Sequence, residues 1–287
     1  MSPTPRERLV VEPWERRDAV VEAIRSASRS VALAVVRCND PNVLEAIAEA
    51  IDRGVHVRAL LPARSLGWGH YPEGLAGLFS QMGVEVHRYA PRVHYHAKYL
   101  VADARLAFVG TFNFVKRSFE RTSDFGVLTD DPEVVAAIGE LFETDCQHAS
   151  LDGSQPRRVI VGPDHARERL AALLTSARER ICLVDHKLSD PSMRALLRSR
   201  ESDGLKVDVL GRIDVRPFRA HGRLMVIDDR LAVVGSGALS TRSLDERREV
   251  AIVSETPSTV RRLTEFVDRV IAGQLVPRAG PGAVEEA

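Results

Sequence analysis

Two blocks of this 287-residue chain carry the same spaced set of chemically marked residues. His96, Lys98 and Asp103 form an H-x-K-x4-D pattern that returns, altered, as His221, Arg223 and Asp228. Fourteen residues after each His stands a Gly followed by a hydroxyl, Gly110-Thr111 and Gly235-Ser236, and 28 residues after each His an acid, Asp124 and Glu249, sits in an apolar run. With 9 His and 40 residues of each charge sign, the His-base-acid spacing alone arises by chance about 0.2 times. Requiring the Gly, the hydroxyl and the second acid lowers that to roughly 0.0002 per copy. Two copies therefore mean an internal repeat, and the chain must fold as two related units. Only four of the 40 basic residues are Lys, and only three residues are Asn. Lys98 and Asn113 both fall inside the first block, which weakens their reading as ordinary surface residues.

The length suits one large or two modest domains, each able to bury a core. A formal net charge of zero excludes a global positive field, so any contact with a polyanion or anionic membrane must be local. Cys38, Cys146 and Cys182 show no C-x-x-C spacing and are expected to be reduced thiols. Residues 1–17 lack an apolar signal core and no later stretch is long and apolar enough for a span, so a soluble, cytoplasmic protein is expected.

Elements repeat along with the motifs. A helical pattern over 19–27 leads into an apolar strand at 31–36, and 170–177 leads into 181–184. Asp40-Pro41 and Asp190-Pro191 read as helix starts, with Asp as cap and Pro in the first turn. Helices at 43–51 and 193–199 and strands at 55–61 and 207–210 follow, a βαβ alternation that predicts a parallel or mixed sheet covered by helices. Each His is expected on a further strand, where i and i+2 residues share a face, so that His96 projects with Lys98 and His221 with Arg223. Asp103 and Asp228 fall in tight turns and read as turn and salt-bridge residues. The Gly-hydroxyl steps should end return strands where backbone can approach a phosphate. Strands at 125–128 and 250–253 and helices at 132–145 and 260–272 close each unit. The first unit carries an extra helix and strand over 72–89, so the second copy is shorter. The units are read as 1–150 and 155–275, with 276–287 a disordered tail.

Two His, each beside a cation and followed by an acid, suit one composite site about a pseudo-two-fold axis. One imidazole can act as nucleophile while the other supplies a proton to the leaving alkoxide. Lys98 and Arg223 are placed to neutralise phosphodiester oxygens, with Asn113, Thr111 and Ser236 as further phosphate-binding donors. Acids accepting from the far ring nitrogens fix the tautomers. Two cations make a divalent metal unnecessary, and no carboxylate cluster is present to hold one, so no cofactor is expected.

At these residues the chain resembles the phospholipase D superfamily, whose signature is H-x-K-x4-D followed by G-S-x-N, twice. The resemblance covers about residues 15 to 275. It implies an α/β fold of two phospholipase D-like α-β-α sandwich domains with the site between them. It further implies a phosphohistidine intermediate on His96, with His221 as general acid and then base, Lys98 and Asn113 on the phosphate, and Asp124 and Glu249 orienting the imidazoles. Arg223 replaces the family's Lys, and Ala238 stands where G-S-x-N places Asn. His94 reads as a wall residue, and His186-Lys187 as lying at a strand end near the cleft. Arg212, Arg216, Arg219, Lys116, Arg117 and Arg121 are candidates for a basic rim. Trp14, Trp68, Tyr71 and Phe112 suit core packing better than a groove. The leading function is a metal-independent phosphodiesterase or phosphatidyl transferase acting on phospholipid, with peripheral membrane contact. The alternatives are a metal-independent nuclease, and a catalytically eroded module that binds anionic lipid or nucleic acid. The oligomeric state is left open.

Overall fold

The computed structural model describes residues 6–64, 70–149, 151 and 156–275. Trp68, the 276–287 tail and most of the stretch between the two units lie outside the described residues.

The first half runs β1 (Glu7–Val10), α1 (Pro13–Arg25), β2 (Ser30–Ala34), α2 (Pro41–Asp52), β3 (His56–Pro62), α3 (Tyr71–Gln81), β4 (Glu85–Tyr89), β5 (His94–Tyr95), β6 (Tyr99–Ala102), β7 (Leu106–Gly110), α4 (Lys116–Glu120), β8 (Thr122–Ser123), β9 (Gly126–Thr129) and α5 (Pro132–Cys146). The second half runs β10 (Val159–Gly162), α6 (Ala166–Ser176), β11 (Arg180–Val184), α7 (Pro191–Ser202), β12 (Lys206–Leu210), β13 (Arg219–Ala220), β14 (Leu224–Ile227), β15 (Leu231–Gly235), α8 (Thr241–Asp245), β16 (Arg247–Ser254) and α9 (Pro257–Ile271).

Both sheets are mixed. The first has strand order β1-β9-β7-β6-β2-β3-β4 and the second β10-β16-β15-β14-β11-β12. The β2-β3-β4 and β11-β12 pairs are parallel, as the βαβ alternation predicts, and the motif strands add antiparallel neighbours. The edge strands β1 and β10 escape the sequence pattern because each is a four-residue run completed by pairing with β9 or β16, far along the chain. Helix α1 also begins earlier than expected, at Pro13, behind a reciprocal Glu12–Glu15 capping box. The two Asp-Pro starts hold as helix boundaries but differ in chemistry. Asp190 accepts the backbone N–H groups of Ser192 and Met193, whereas the Asp40 carboxylate pairs with Arg17 at 3.0 Å instead of capping.

Strand alternation distributes the core. Tyr99 and Val101 of β6 face one cluster while Leu100 and Ala102 face another; in β14, Leu224 and Val226 part in the same way from Met225 and Ile227. The shared inner cluster contains α5 and α9 and the inner faces of both sheets, while α1–α3 cover the first sheet and α6 and α7 the second. The two sandwiches are thus fused through one common layer, which fixes the halves against each other.

At the motifs the chain passes from one sheet to the other. Residues 96–98 are a break between β5, which pairs with β16 of the second half, and β6, which belongs to the first sheet. Residues 221–223 repeat this between β13, paired with β8, and β14. The expected continuous motif strand is therefore split at each His, because its two ends are hydrogen-bonded to different halves.

Candidate active site

The crossing brings each His to the acid of the other half. His96 Nδ1 lies 2.9 Å from Glu249 Oε2, and His221 Nδ1 lies 2.9 Å from Asp124 Oδ1. A carboxylate only accepts, so each Nδ1 carries a proton and each Nε2 is left free of the acid. Both rings line one cleft of ≈ 640 Å³ between the halves.

The acids are themselves held. Ser243 donates to Glu249 Oε1 at 2.8 Å, while Thr111 donates to Asp124 Oδ1 at 2.5 Å and Thr122 to its other oxygen. Thr111 and Ser236 therefore do not reach a phosphate as expected. Thr111 is fully buried and also accepts the Phe125 N–H, and Ser236 exchanges hydrogen bonds with the backbone of Val250. Their glycines serve packing rather than phosphate approach: a Cβ on Gly110 would meet the Phe108 ring at 2.8 Å, and one on Gly235 would collide with Val250 and Ala251 of β16. Arg16 was not singled out by the sequence. It sits 2 % exposed on the buried face of α1 and donates to the carbonyls of Val11, Ser118 and Thr122, beside Asp124. Its signal was a charge at the buried edge of the stripe formed by Ala19, Val20 and Ala23.

Electrostatics differentiate the groups. Burial pushes His96 down to about 3 against the opposing pull of Glu249, so its imidazole is neutral at neutral pH. Burial would raise Glu249, but His96, Lys98 and Arg223 outweigh it and hold the carboxyl at about 2. Asp124 is likewise lowered, its burial overcome by His221, Arg16 and the Thr111 hydroxyl. Burial, joined by Arg223 and opposed by Glu249, brings Lys98 down to about 7.

Lys98 and Arg223 sit beneath the imidazoles rather than on the cleft wall. Lys98 is 0 % exposed with its ammonium on the His96 carbonyl. Arg223 is 4 % exposed, and its Nε and Nη1 are buried without hydrogen-bond partners among the described residues. It borders a small pocket of ≈ 50 Å³ together with Asp185 and Glu249. Asn113 does line the cleft, with a buried Oδ1 that has no hydrogen-bond partner among the described residues.

Asp103 and Asp228 lie roughly 13 Å of strand away from the His residues, at the far ends of β6 and β14. Both occupy positive-φ turns, and their carboxylates accept backbone N–H groups of residues 28–30 and 178–180. They are turn residues; amides, rather than the expected salt bridge, satisfy them.

The cleft wall is basic. Arg37, Arg64, Lys116 and Arg117 of the first half and Lys187, Arg212, Arg219 and Arg247 of the second line it, and among the described residues no carboxylate does. Four of the six expected rim residues are present; Arg121 and Arg216 do not line it. His94, His186 and Lys187 also line it. Arg37 and Lys187 were legible in principle, since each stands three residues before its Asp-Pro step. Trp14 borders a separate surface groove beside α9, Tyr71 packs under Arg37, and Phe112 is fully buried. Among the described residues no helix is long and apolar enough to cross a membrane, and no group of three or more His, Cys, Asp or Glu side chains is arranged to hold a metal ion.

Residues 20–146 and 158–271 match the family model described as "Cardiolipin synthase, PLD-like domain". The chain belongs to this phospholipase D-like family, and with it to a superfamily of phosphoryl-transfer enzymes. It is similar to the polyphosphate kinase of Yersinia pestis, 22% identical over 94% of this chain and 47% of that protein. Among solved structures, the polyphosphate kinase from Porphyromonas gingivalis superposes with a TM-score of 0.79 at 17% identity, over 93% of this chain and 47% of that one. The phosphatidylserine synthase of Haemophilus influenzae Rd KW20 superposes with a TM-score of 0.74 at 10% identity, over 92% and 86%. The chain spans about half the length, or less, of the curated relatives it matches.

Proposed function

We propose that this protein is a phosphodiesterase or phosphatidyl transferase that works through a phosphohistidine without a divalent metal. The observation that carries this reading is the exchanged pair of His-acid contacts, which leaves two Nε2 atoms available to one basic cleft. His96 is the nucleophile: it is neutral, and its Nδ1 proton is held by Glu249. Its Nε2 attacks phosphorus and the bond to the leaving oxygen breaks, while His221, in its doubly protonated imidazolium form, delivers its Nε2 proton to that oxygen and keeps the Nδ1 proton on Asp124. His221 then takes a proton from water or an acceptor alcohol, whose oxygen attacks phosphorus and releases His96. Positive charge beneath the site from Lys98 and Arg223, and Asn113 on the wall, stabilise the charge that develops on the phosphoryl oxygens. Phospholipid is the substrate favoured by membership of a family described as cardiolipin synthase-like.

A second reading, a nuclease, is supported by the cations of the cleft wall. Hydrolysis of bis(4-nitrophenyl) phosphate in excess EDTA tests the mechanism. Turnover that survives EDTA, and is lost in both His96→Ala and His221→Ala, is expected. An acid-labile phosphoryl adduct should accumulate on His96 when His221 is removed. A wild-type protein that binds phosphate without turnover would instead identify an eroded binding module, the reading that Arg223 and Ala238 motivate.

A further inference from the structure

The two walls of the cleft are not equivalent, and three of the paired positions that differ bear on how a phosphate is held. The first half offers Lys98, Asn113 and Thr122 where the second has Arg223, Ala238 and Arg247. In the first half Asn113 lines the cleft and Thr122 is spent on holding Asp124. The second half has lost the amide, since Ala238 is 1 % exposed and offers only a methyl group. Holding the acid there has moved to Ser243, whose hydroxyl sits 2.8 Å from Glu249. Position 247 is thereby freed from the task that its counterpart Thr122 performs.

We propose that Arg247 is the phosphate-binding residue of the second wall, supplying to the substrate's non-bridging oxygens the donors that Ala238 lacks. This inference rests on the phosphodiester reading of the cleft. Arg247 opens β16 two residues before Glu249, in register with His94 of β5, so its strand position fixes it beside both His96 and its orienting acid. Arg223 does not line the cleft and borders a separate pocket, whereas Arg247 lines the cleft. Its contact with Glu249 is only 4.0 Å long, at the limit of an ion pair, and leaves the guanidinium's fork available. Burial lowers its pKa, and Arg242 and Arg223 add to that effect against Glu249, as befits a cation placed where an anion is still to arrive. A planar fork can hold two phosphoryl oxygens at once, so one Arg can replace an amide donor with a stronger contact.

The test is calorimetric binding of inorganic phosphate to the full chain at neutral pH, with the NMR signal of the His96 Nδ1 proton followed in the same variants. Wild type is expected to bind, and Arg247→Thr, which installs the residue of the opposite wall, should raise Kd by about 10–100-fold. Asn113→Ala should weaken binding less, and Arg247→Lys should recover most of the loss because the charge is retained. Turnover of bis(4-nitrophenyl) phosphate should show the change mainly in KM. The His96 Nδ1 proton should persist in Arg247→Thr, showing that Glu249 remains in place. Wild-type affinity in Arg247→Thr would overturn the inference while leaving the wider reading intact. Loss of the His96 Nδ1 proton without recovery by Lys would overturn it in favour of a strut for Glu249. Failure of wild type to bind phosphate at all would overturn both.

Discussion

Glu249 holds the Nδ1 of His96 from 153 residues away in sequence and from the opposite half of the molecule. Asp124 does the same for His221, so neither half contains a finished His-acid pair. Replacing Glu249 by Gln leaves the shape but offers a donor as readily as an acceptor, which releases the tautomer of His96, the proposed nucleophile. Glu249→Gln is expected to lower kcat about 10³–10⁴-fold with little change in phosphate affinity. Rapid-quench kinetics should assign the defect to formation of the phosphoenzyme. Asp124→Asn should have a comparable overall effect, exerted through His221 on protonation of the leaving group.

The pH profile should carry the mark of Lys98. Its ammonium titrates at about 7, well below the ordinary Lys value, because it is buried among other cations. kcat/KM for bis(4-nitrophenyl) phosphate, which stays a monoanion, is expected to fall as pH rises through about 7 and the positive charge beneath the site is lost. His96, at about 3, adds no acid limb near neutrality. Between about 7 and 10.5 the unfolded chain holds a proton on Lys98 that the folded chain has released. Lys98 therefore makes the unliganded protein more stable as pH rises through that window. Lys98→Arg should remove the basic limb, since a guanidinium keeps its charge.

Buried Arg16 ties α1 to the Asp124 region through three backbone carbonyls. Arg16→Met fills the space but leaves those acceptors without their donor, and is expected to cost about 2–4 kcal/mol. Urea denaturation with an unchanged slope and a lowered midpoint would show it. An unchanged midpoint would mean that the carbonyls find other donors.

The basic wall should make binding of a polyanion sensitive to salt. If a single-stranded oligonucleotide engages the cleft, log K should fall with log salt at about 0.7 per phosphate contacted. The double reversal Lys116→Glu/Arg212→Glu should flatten that slope and leave turnover of the small chromogenic diester within a few fold. A slope near zero in wild type would remove support for the nuclease reading and favour phospholipid.

Much of the site's composition was legible because the repeat marks it: His96, His221, Asp124 and Glu249 sit at matched spacings, and they pair, with the imidazoles lining the cleft and the acids buried behind them. Their exchange of partners was not legible, since spacing within a repeat unit says nothing about which unit an acid faces. Thr111 and Ser236 show the same limit locally. The pattern puts them at the right turn, but whether a hydroxyl faces ligand or carboxylate depends on the opposing strand. The βαβ frame followed from apolar runs and Asp-Pro steps, while β1 and β10 depended on distant antiparallel partners. Arg247 carries no mark in the sequence, where it is one Arg among many; only comparison with Thr122 and Ala238 in three dimensions gives it meaning.

Gly222 is where the crossing of the chain is tightest. A Cβ there would lie 2.6 Å from the Ser123 carbonyl oxygen and 2.8 Å from the Asp124 Cα. Its counterpart Ala97 carries a methyl and is fully buried, so the two crossings are packed differently. The Gly222 N–H also donates to the Ser123 carbonyl at 2.7 Å, stapling the His221 segment to the Asp124 segment. Gly222→Ala must push these segments apart, and a displacement of a few tenths of an ångström falls directly on the His221–Asp124 contact. The expected result is a fall in kcat of about tenfold or more, since small misplacements near reacting groups are costly. The circular dichroism spectrum should be unchanged and the loss of stability modest, because the strain is confined to the two short segments that cross at Gly222. Full activity in Gly222→Ala would show that the crossing relaxes without moving the imidazole. Loss confined to steps that need His221, with phosphoenzyme formation from an activated aryl ester preserved, would place the strain on the acid-base residue and spare the nucleophile.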